Sequence, residues 1–318
     1  MVCRYRSHRG MCGSGTNPVE PWPDMREMLW DMLRQIPPGK VTTYGALAEA
    51  LGDVRAARAI GSLLASNPTP PDPPCHRVVY SDGRVGWYKG RGRGAEEKEA
   101  LLMSEGVHVE GGRVDLSEHL HRLFSTQPVL QDMRDMQECL ASSLVTEGGG
   151  LPGIVSALDV SYRGDDAFAA RVDFSYPAGE ELGSQLHRCK AVMPYIPGYL
   201  GFREAPILEP LMVDDGRVHL IDGNGALHPR GAGIACQLGI PSRRTVGVAK
   251  SLLLGELKDS SVMVEGDEKG RKVGRYYVSV GNLISLDAAE GLLSDLLEAG
   301  IDPCRRAHEL ATRFRKSV

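Results

Sequence analysis

No apolar run in this sequence approaches the roughly 18 residues that a membrane-spanning helix needs, so no such helix is expected. The basic opening, MVCRYRSHRGMCGSGTNP, lacks the apolar segment of a secretory signal, and residues 1–19 are read as a flexible tail. No CxxC pair occurs. The seven cysteines, at positions 3, 12, 75, 139, 189, 236 and 304, are odd in number and irregular in spacing. That pattern argues against a disulfide framework or structural zinc, and for unpaired thiols in a reducing cytoplasm. Charge of one sign is also missing: the net charge of −4 gives no general pull toward nucleic acid. Internal repeats are absent.

What is present is enough material for two globular domains: 318 residues, 42% hydrophobic and 25% charged. Charge is distributed unevenly. Between Val54 and Ala95 stand seven basic residues (Arg55, Arg58, Arg77, Arg84, Lys89, Arg91, Arg93) against two acidic ones (Asp72, Asp82). A local basic patch on a near-neutral chain fits a phosphate backbone, although such a run is often just a solvated face.

The apolar spacing of DMREMLWDMLRQIPPGK predicts a helix stopped by Pro37-Pro38-Gly39. TTYGALAEALG predicts a short helix capped by Thr42 or Thr43, with Gly52 past its end. VRAARAIGSLLASNP predicts another, ended by Pro68, and the pair reads as helix-turn-helix. The second helix is rich in small residues, which let it lie close to a groove. From Glu147 to Gly153 a glycine-rich break precedes alternating strands and helices, the pattern of an α/β domain with a mixed sheet.

Two places draw chemical attention. In PPCHRVVYSDG, Cys75 adjoins His76, a base that can generate the thiolate a nucleophile requires. Alone, such a pair more often marks a buried structural thiol. Downstream, Asp159 follows IVSAL and Asp222 follows VHLI, so two carboxylates end two strands, a common way to hold Mg²⁺ through oxygen. Alone, an aspartate there is more often a turn or cap.

The surrounding residues go further. KVTTYGALAEALG, RAARAIGSLLASNP, PCHRVV and SDGRVGWYKG occur in order and resemble the DNA-binding domain of O6-alkylguanine-DNA alkyltransferases, over about Trp22 to Val109. The resemblance implies a winged helix-turn-helix-like domain over residues 20–110, followed by a linker over 111–123. It implies irreversible transfer of the alkyl group from guanine O6 to Cys75. His76 would deprotonate Cys75 through a water, and Glu105 would polarise His76. Tyr44 would crowd a phosphate, Arg58 would replace the flipped base, Asn67 would brace the active-site turn, Tyr88 would donate to guanine, and Arg77 would join the DNA contacts. Trp87 and Lys89 depart from the smaller residues usual in the substrate loop. Relatives that bind lesions without repairing them replace the cysteine, so its presence implies transfer.

LDVSY, PYIPGYLGFREAP, DGNGALHPRGAGIA, TVGVAKSLL and DPCRRAHELATRFRK resemble endonuclease V, from about Phe124 to Lys316. This implies an RNase H-like α/β domain over 124–318 and Mg²⁺, replaceable by Mn²⁺, held by Asp159, Glu204 and Asp222, with His308 in the metal region. His228 and Lys250 would act at the scissile phosphate. Tyr195, Ile196 and Pro197 would form a strand-separating wedge. Gly198, Leu200, Gly223, Gly225 and Ile234 would line a pocket for hypoxanthine. Between Lys250 and Tyr277 the chain is shorter than the family pattern, as though a strand pair were trimmed.

The expected whole is a cytoplasmic, bifunctional DNA-repair enzyme acting on double-stranded DNA with O6-alkylguanine or deoxyinosine, without an obligate protein partner. Two alternatives stay open: the first half senses alkylated guanine without reacting, or the nuclease cuts inosine-containing RNA.

Overall fold

The structure is a computed structural model, which describes residues 22–88, 94–148 and 150–318. The expected tail, together with Lys89, Arg91 and Arg93, lies outside the described residues. The chain forms two compact units. One comprises Pro23–Asp132 and Met193–Pro197; the other comprises Trp22, Met133–Val192 and Gly198–Val318 among the described residues.

The first unit opens with α1 (Met25–Arg34), which Asp24 caps by accepting from the Arg26 amide at 2.8 Å. Its apolar stripe of Met25, Leu29, Met32 and Leu33 is buried, as the spacing predicts. A two-residue β1 (Thr42–Thr43) leads into α2 (Tyr44–Ala50). Thr43, rather than Thr42, is the cap, its Oγ1 accepting from the Ala46 amide at 3.0 Å. Gly52 has φ +104° and lies against Gln131, whose amide nitrogen would be 2.7 Å from an added Cβ. A 3₁₀ turn (Val54–Ala56) precedes α3 (Ala57–Ala65).

A second 3₁₀ turn (Cys75–Arg77) runs into β2 (Val78–Val79), parallel to β1 with Thr42 opposite Val78. Next come α4 (Gly94–Ser104), the hairpin of β3 (Val109–Glu110) and β4 (Arg113–Val114), and α5 (Leu116–His119). Val41, Val79, Val85, Leu102, Val107 and Val114 form the core beneath them.

Residues 111–123 are no linker. The Val41 amide donates to His119 O at 2.9 Å, the His121 amide donates to Val41 O at 2.7 Å, and Lys40 Nζ donates to Glu118 O at 2.7 Å. These bonds satisfy backbone groups that a free linker would leave to water. α6 (Val129–Ser143) follows.

In the second unit β5 (Ile154–Arg163), β6 (Asp166–Ser175) and β7 (Glu181–Lys190) form an antiparallel meander. After α7 (Leu200–Leu208) come β8 (Val218–Asp222), α8 (Ile234–Gly239) and β9 (Arg244–Ala249). β10 (Glu256–Lys258), β11 (Ser261–Val264), β12 (Asp267–Val273) and β13 (Tyr276–Asn282) precede α9 (Leu286–Glu298) and α10 (Pro303–Ser317). The nine strands lie in the order β10-β11-β12-β13-β9-β8-β5-β6-β7. β5, β8 and β9 are mutually parallel and the other pairings antiparallel, giving the expected mixed sheet. The segment expected to be trimmed, between Lys250 and Tyr277, supplies three of these strands.

Both faces of the central strands are covered, which is why they read as near-continuous apolar runs. Val155, Ala157, Val218 and Leu220 pack on α9 and α10 through Leu292, Leu296 and Ala307. Leu158 and Ile221 face the other way, toward α7 and α8 through Ala205, Leu208 and Leu238. β7 is exposed nearly throughout and lacks alternation; it forms because its backbone pairs along the whole of β6.

Among the described residues Cys75, Cys189, Cys236 and Cys304 are free thiols. Among the described residues no helix is long and apolar enough to cross a membrane.

His219 on β8 is fully buried, and its Nε2 accepts from the Val213 amide at 3.3 Å. Burial, with Arg217, Arg243 and Arg171 nearby, pushes it down to about 4. A depressed histidine contributes stability that is whole above the unfolded value near 6.5 and is lost as pH falls toward the folded value. Urea unfolding of the sheet-containing unit is therefore expected to lose about 2 kcal/mol more between pH 7 and pH 5 in the native protein than in His219→Gln. Equal losses in the two proteins would refute that assignment.

Candidate active sites

Cys75 begins a 3₁₀ turn directly after Pro74 and is buried. Its Sγ accepts from Asn67 Nδ2 at 3.2 Å, and the same amide reaches Pro73 O at 3.3 Å. Asn67 thereby ties the thiol to the turn that carries it. Tyr88 hydrogen-bonds the sulfur from the other side, and burial followed by the nearby Cys75 sulfur raises the Tyr88 phenol, keeping it a donor. The sulfur opens on a cavity of about 70 Å³ lined also by Tyr44, Gly61, Trp87 and Lys98.

His76 points into the protein. Its Nε2 stands 2.8 Å from Glu105 Oε1, while its Nδ1 is buried without a partner. Burial lowers its proton affinity more than Glu105 restores it, so the ring is neutral near pH 7. A neutral ring that donates from Nε2 to a carboxylate keeps Nδ1 as its acceptor. Burial pushes the Glu105 carboxyl up, but hydrogen bonds from Arg77 and His76 outweigh it and hold the group ionised.

Arg77, expected among the DNA contacts, is spent inside the protein. Its Nε and one terminal nitrogen each lie 2.7 Å from Glu105, and the other terminal nitrogen donates to Ile36 O at 2.5 Å. The basic patch thins in the same way. Arg55 and Arg84 stay exposed but are bound to Asp53 and Asp82, and Arg58 is exposed on α3. Tyr44 heads α2 with its ring 5.6 Å from that of Tyr80, and burial, then Tyr80, pushes it up to about 12.

Sequence reasoning missed Lys98. It is 1% exposed, donates from Nζ to Val78 O at 2.5 Å, and is pushed down by burial to about 8. Its place four residues before the buried Leu102, on one helix face, was the available signal.

In the second unit, Leu158 on β5 pairs with Ile221 on the parallel β8. Asp159 and Asp222, one residue further along each strand, therefore stand side by side with their carboxyls in hydrogen-bonding reach. Lys250, just beyond β9, places Nζ 2.5 Å from Asp222 Oδ2 and 3.9 Å from Asp159 Oδ2. His308 on α10 stands with Nδ1 2.7 Å from Asp159 Oδ2. Burial and then the Asp222 charge push Asp159 up to about 6, against Lys250 and His308.

Glu204 does not join this group directly. Strand alternation sends Asp159 toward α10 and Tyr162 toward α7, where the Tyr162 hydroxyl donates to Glu204 Oε1 at 3.1 Å. Burial pushes Glu204 up to about 8, with the Asp159 and Asp222 charges adding to the rise and the Tyr162 bond opposing it. Among the described residues no three His, Cys, Asp or Glu side chains are set to hold one metal ion. Asp159 and Asp222 nevertheless fit a divalent cation: they are adjacent oxygen donors with unfavourably concentrated charge, and the Lys250 ammonium already stands in for a cation. Tyr162 ends the LDVSY motif, and its separation of 42 positions from Glu204 hid the pairing.

Other expected residues divide. Gly223 has φ +139° and faces Ile234 and Leu200, whose nearest atoms would be 2.7 and 3.8 Å from an added Cβ. These three do gather. Gly225 serves packing instead, since a Cβ there would meet Val280 O at 2.1 Å. Gly198 offers its carbonyl to Arg230. Of the wedge, Tyr195 and Pro197 are exposed, but Ile196 is 1% exposed and is an anchor, not a tip. His228 is buried, with Nδ1 accepting from the Arg230 amide at 3.3 Å.

Comparison with known proteins places these two sites in families. Residues 24–107 match the model of the 6-O-methylguanine DNA methyltransferase DNA-binding domain, and residues 139–309 match endonuclease V. A bifunctional methyltransferase/endonuclease of Picrophilus torridus is 36% identical over 275 residues, covering 86% of this chain and 90% of that protein. One from Thermoplasma volcanium is 36% identical over 273 residues, covering 85% and 84%. The crystal structure of endonuclease V from Streptomyces avermitilis is 29% identical, with a TM-score of 0.54, covering 59% of this chain and 93% of its own. The chain belongs to the bifunctional methyltransferase/endonucleases, with an alkyltransferase DNA-binding domain followed by an endonuclease V domain.

Proposed function

We propose that Cys75 takes alkyl groups from guanine O6 in duplex DNA, and that Asp159 and Asp222 support Mg²⁺-dependent nicking 3′ to deoxyinosine. The observation that carries the first half is the cavity holding Sγ between Asn67 and Tyr88, beside a neutral His76. His76 Nδ1 takes the thiol proton through a water, and Glu105 stabilises the resulting imidazolium. The thiolate attacks the alkyl carbon, an S–C bond forms, and the C–O6 bond breaks. Its electron pair returns to the guanine, which Tyr88 assists as a hydrogen-bond donor. The product is a thioether, so each protein acts once. The base must leave the stack to reach so enclosed a sulfur, and Arg58 on the exposed face of α3 fills the gap.

The second half rests on the side-by-side carboxylates of β5 and β8. A bound Mg²⁺ supplies charge neutralisation at the phosphodiester and acidifies a water. Asp159 and Asp222 would hold it, with His308 orienting Asp159, and Glu204, kept protonated near pH 7 by burial, would add charge only on losing its proton. Lys250, which pairs with Asp222, would serve at the scissile phosphate with His228 beside it. Tyr195 and Pro197 form the wedge; Leu200, Gly223 and Ile234 wall the hypoxanthine pocket. We place the alkyltransferase domain at 20–123, which includes the hairpin and α5, and the protein in the cytoplasm.

One preparation tests both halves. Label from [³H]methylated DNA is expected to move stoichiometrically onto the protein, and an inosine-containing DNA duplex to be nicked only with Mg²⁺ or Mn²⁺. Lesion binding without label transfer would make the first half a sensor. Cleavage of matched RNA in preference to DNA would overturn the DNA assignment.

A further inference from the structure

The groove that carries Tyr44 and Arg58 has a second cationic wall. It is a broad, open depression of about 700 Å³ beside the Cys75 cavity, and Arg122 lines it together with Tyr44, Arg58, Tyr80 and Glu49. Glu49 is its acidic lining residue, set against the two arginines. Arg122 comes from the segment after α5, far in sequence from the helix-turn-helix, and is exposed. Its backbone is not free to wander. The neighbouring His121 amide donates to Val41 O at 2.7 Å, the His121 ring packs edge-on against Phe124 at 4.9 Å, and Val41 pairs with Leu120. A guanidinium on an anchored backbone, lining the same open groove as Arg58, suits an anionic backbone lying in that groove.

We infer that Arg122 is a DNA-backbone contact of the alkyltransferase domain, gripping a phosphate across the groove from Arg58. The inference rests on the proposed action on duplex DNA. Arg122 positions the duplex; Arg58 and the cavity beyond it handle the base. The chain leaving the domain toward the nuclease therefore contributes to the grip on DNA.

The test is binding of O6-methylguanine duplex by the full chain across a salt series, followed by single-turnover transfer at saturating DNA. Arg122→Ala is expected to weaken binding about tenfold at low salt, the worth of one charged hydrogen bond. The plot of log affinity against log salt should become shallower by about 0.9. Arg122→Lys should restore the slope, and the saturated transfer rate should stay unchanged in both. An unchanged slope in Arg122→Ala would overturn the inference while leaving the alkyl-transfer reading intact. Absence of transfer by the native protein would instead remove the reading itself.

Discussion

Cys75→Ala is expected to leave the protein without any label from methylated DNA while it still binds the lesion. The prediction follows from the exclusivity of the site. Among the described residues Cys75 is the cysteine that pairs a neighbouring base with an open cavity; Cys236 and Cys304 are buried elsewhere in the second unit. Among the described residues no other thiol can substitute, because transfer needs sulfur, an acceptor for its proton and room for a base together. Cys75→Ser should be equally inactive, since a hydroxyl is a far weaker nucleophile than a thiolate. Loss of the sulfur removes one acceptor for Asn67, a cost of about 1 kcal/mol, so the domain should remain folded. Nicking at inosine, which uses the other unit, should be unaffected. Residual labelling of Cys75→Ala would place the acceptor elsewhere.

Asp222→Asn is expected to lower Mg²⁺-dependent nicking by about 10³-fold or more, with alkyl transfer unchanged. Asparagine keeps the shape at the end of β8 but removes the charge that, with Asp159, attracts the cation. A second measurement does not depend on turnover. In the native protein, where burial and then the Asp222 charge push Asp159 up to about 6, Mg²⁺ binding relieves the repulsion between the two and should raise the melting temperature. In Asp222→Asn the repulsion is already gone, and the Mg²⁺-induced rise should be lost. Retention of both nicking and the thermal shift would mean that the cation sits elsewhere.

The two substitutions draw on different kinds of legibility. Cys75 was readable because PCHR and the motifs around it, in order, resemble a known family, and α1, α2 and α3 because their caps and apolar stripes are local. Asp159 and Asp222 were readable as strand ends; their adjacency needed the β5–β8 register. Arg77 was misread because its partner, Glu105, is 28 positions away, and a guanidinium in a basic run looks exposed until its partner is placed. Lys98 and Ile196 were hidden by the same limit: burial belongs to the fold, not to the residue type. The linker was misread because its glycines signal turns without saying whether the ends pair with a strand.

The amino-acid order alone determined the two-domain plan, the candidate nucleophile, the mixed α/β character of the second half and the two strand-end aspartates. These depend on periodicity, capping and short motifs, whose physics operates over a few residues. Only the tertiary structure decided that Arg77 shares Glu105 with His76, that Lys250 occupies the carboxylate pair while Glu204 is held by Tyr162, and that Arg122 lines the groove of Tyr44 and Arg58. Those outcomes depend on strand register and on which side chains lose water, and neither is settled until distant segments meet.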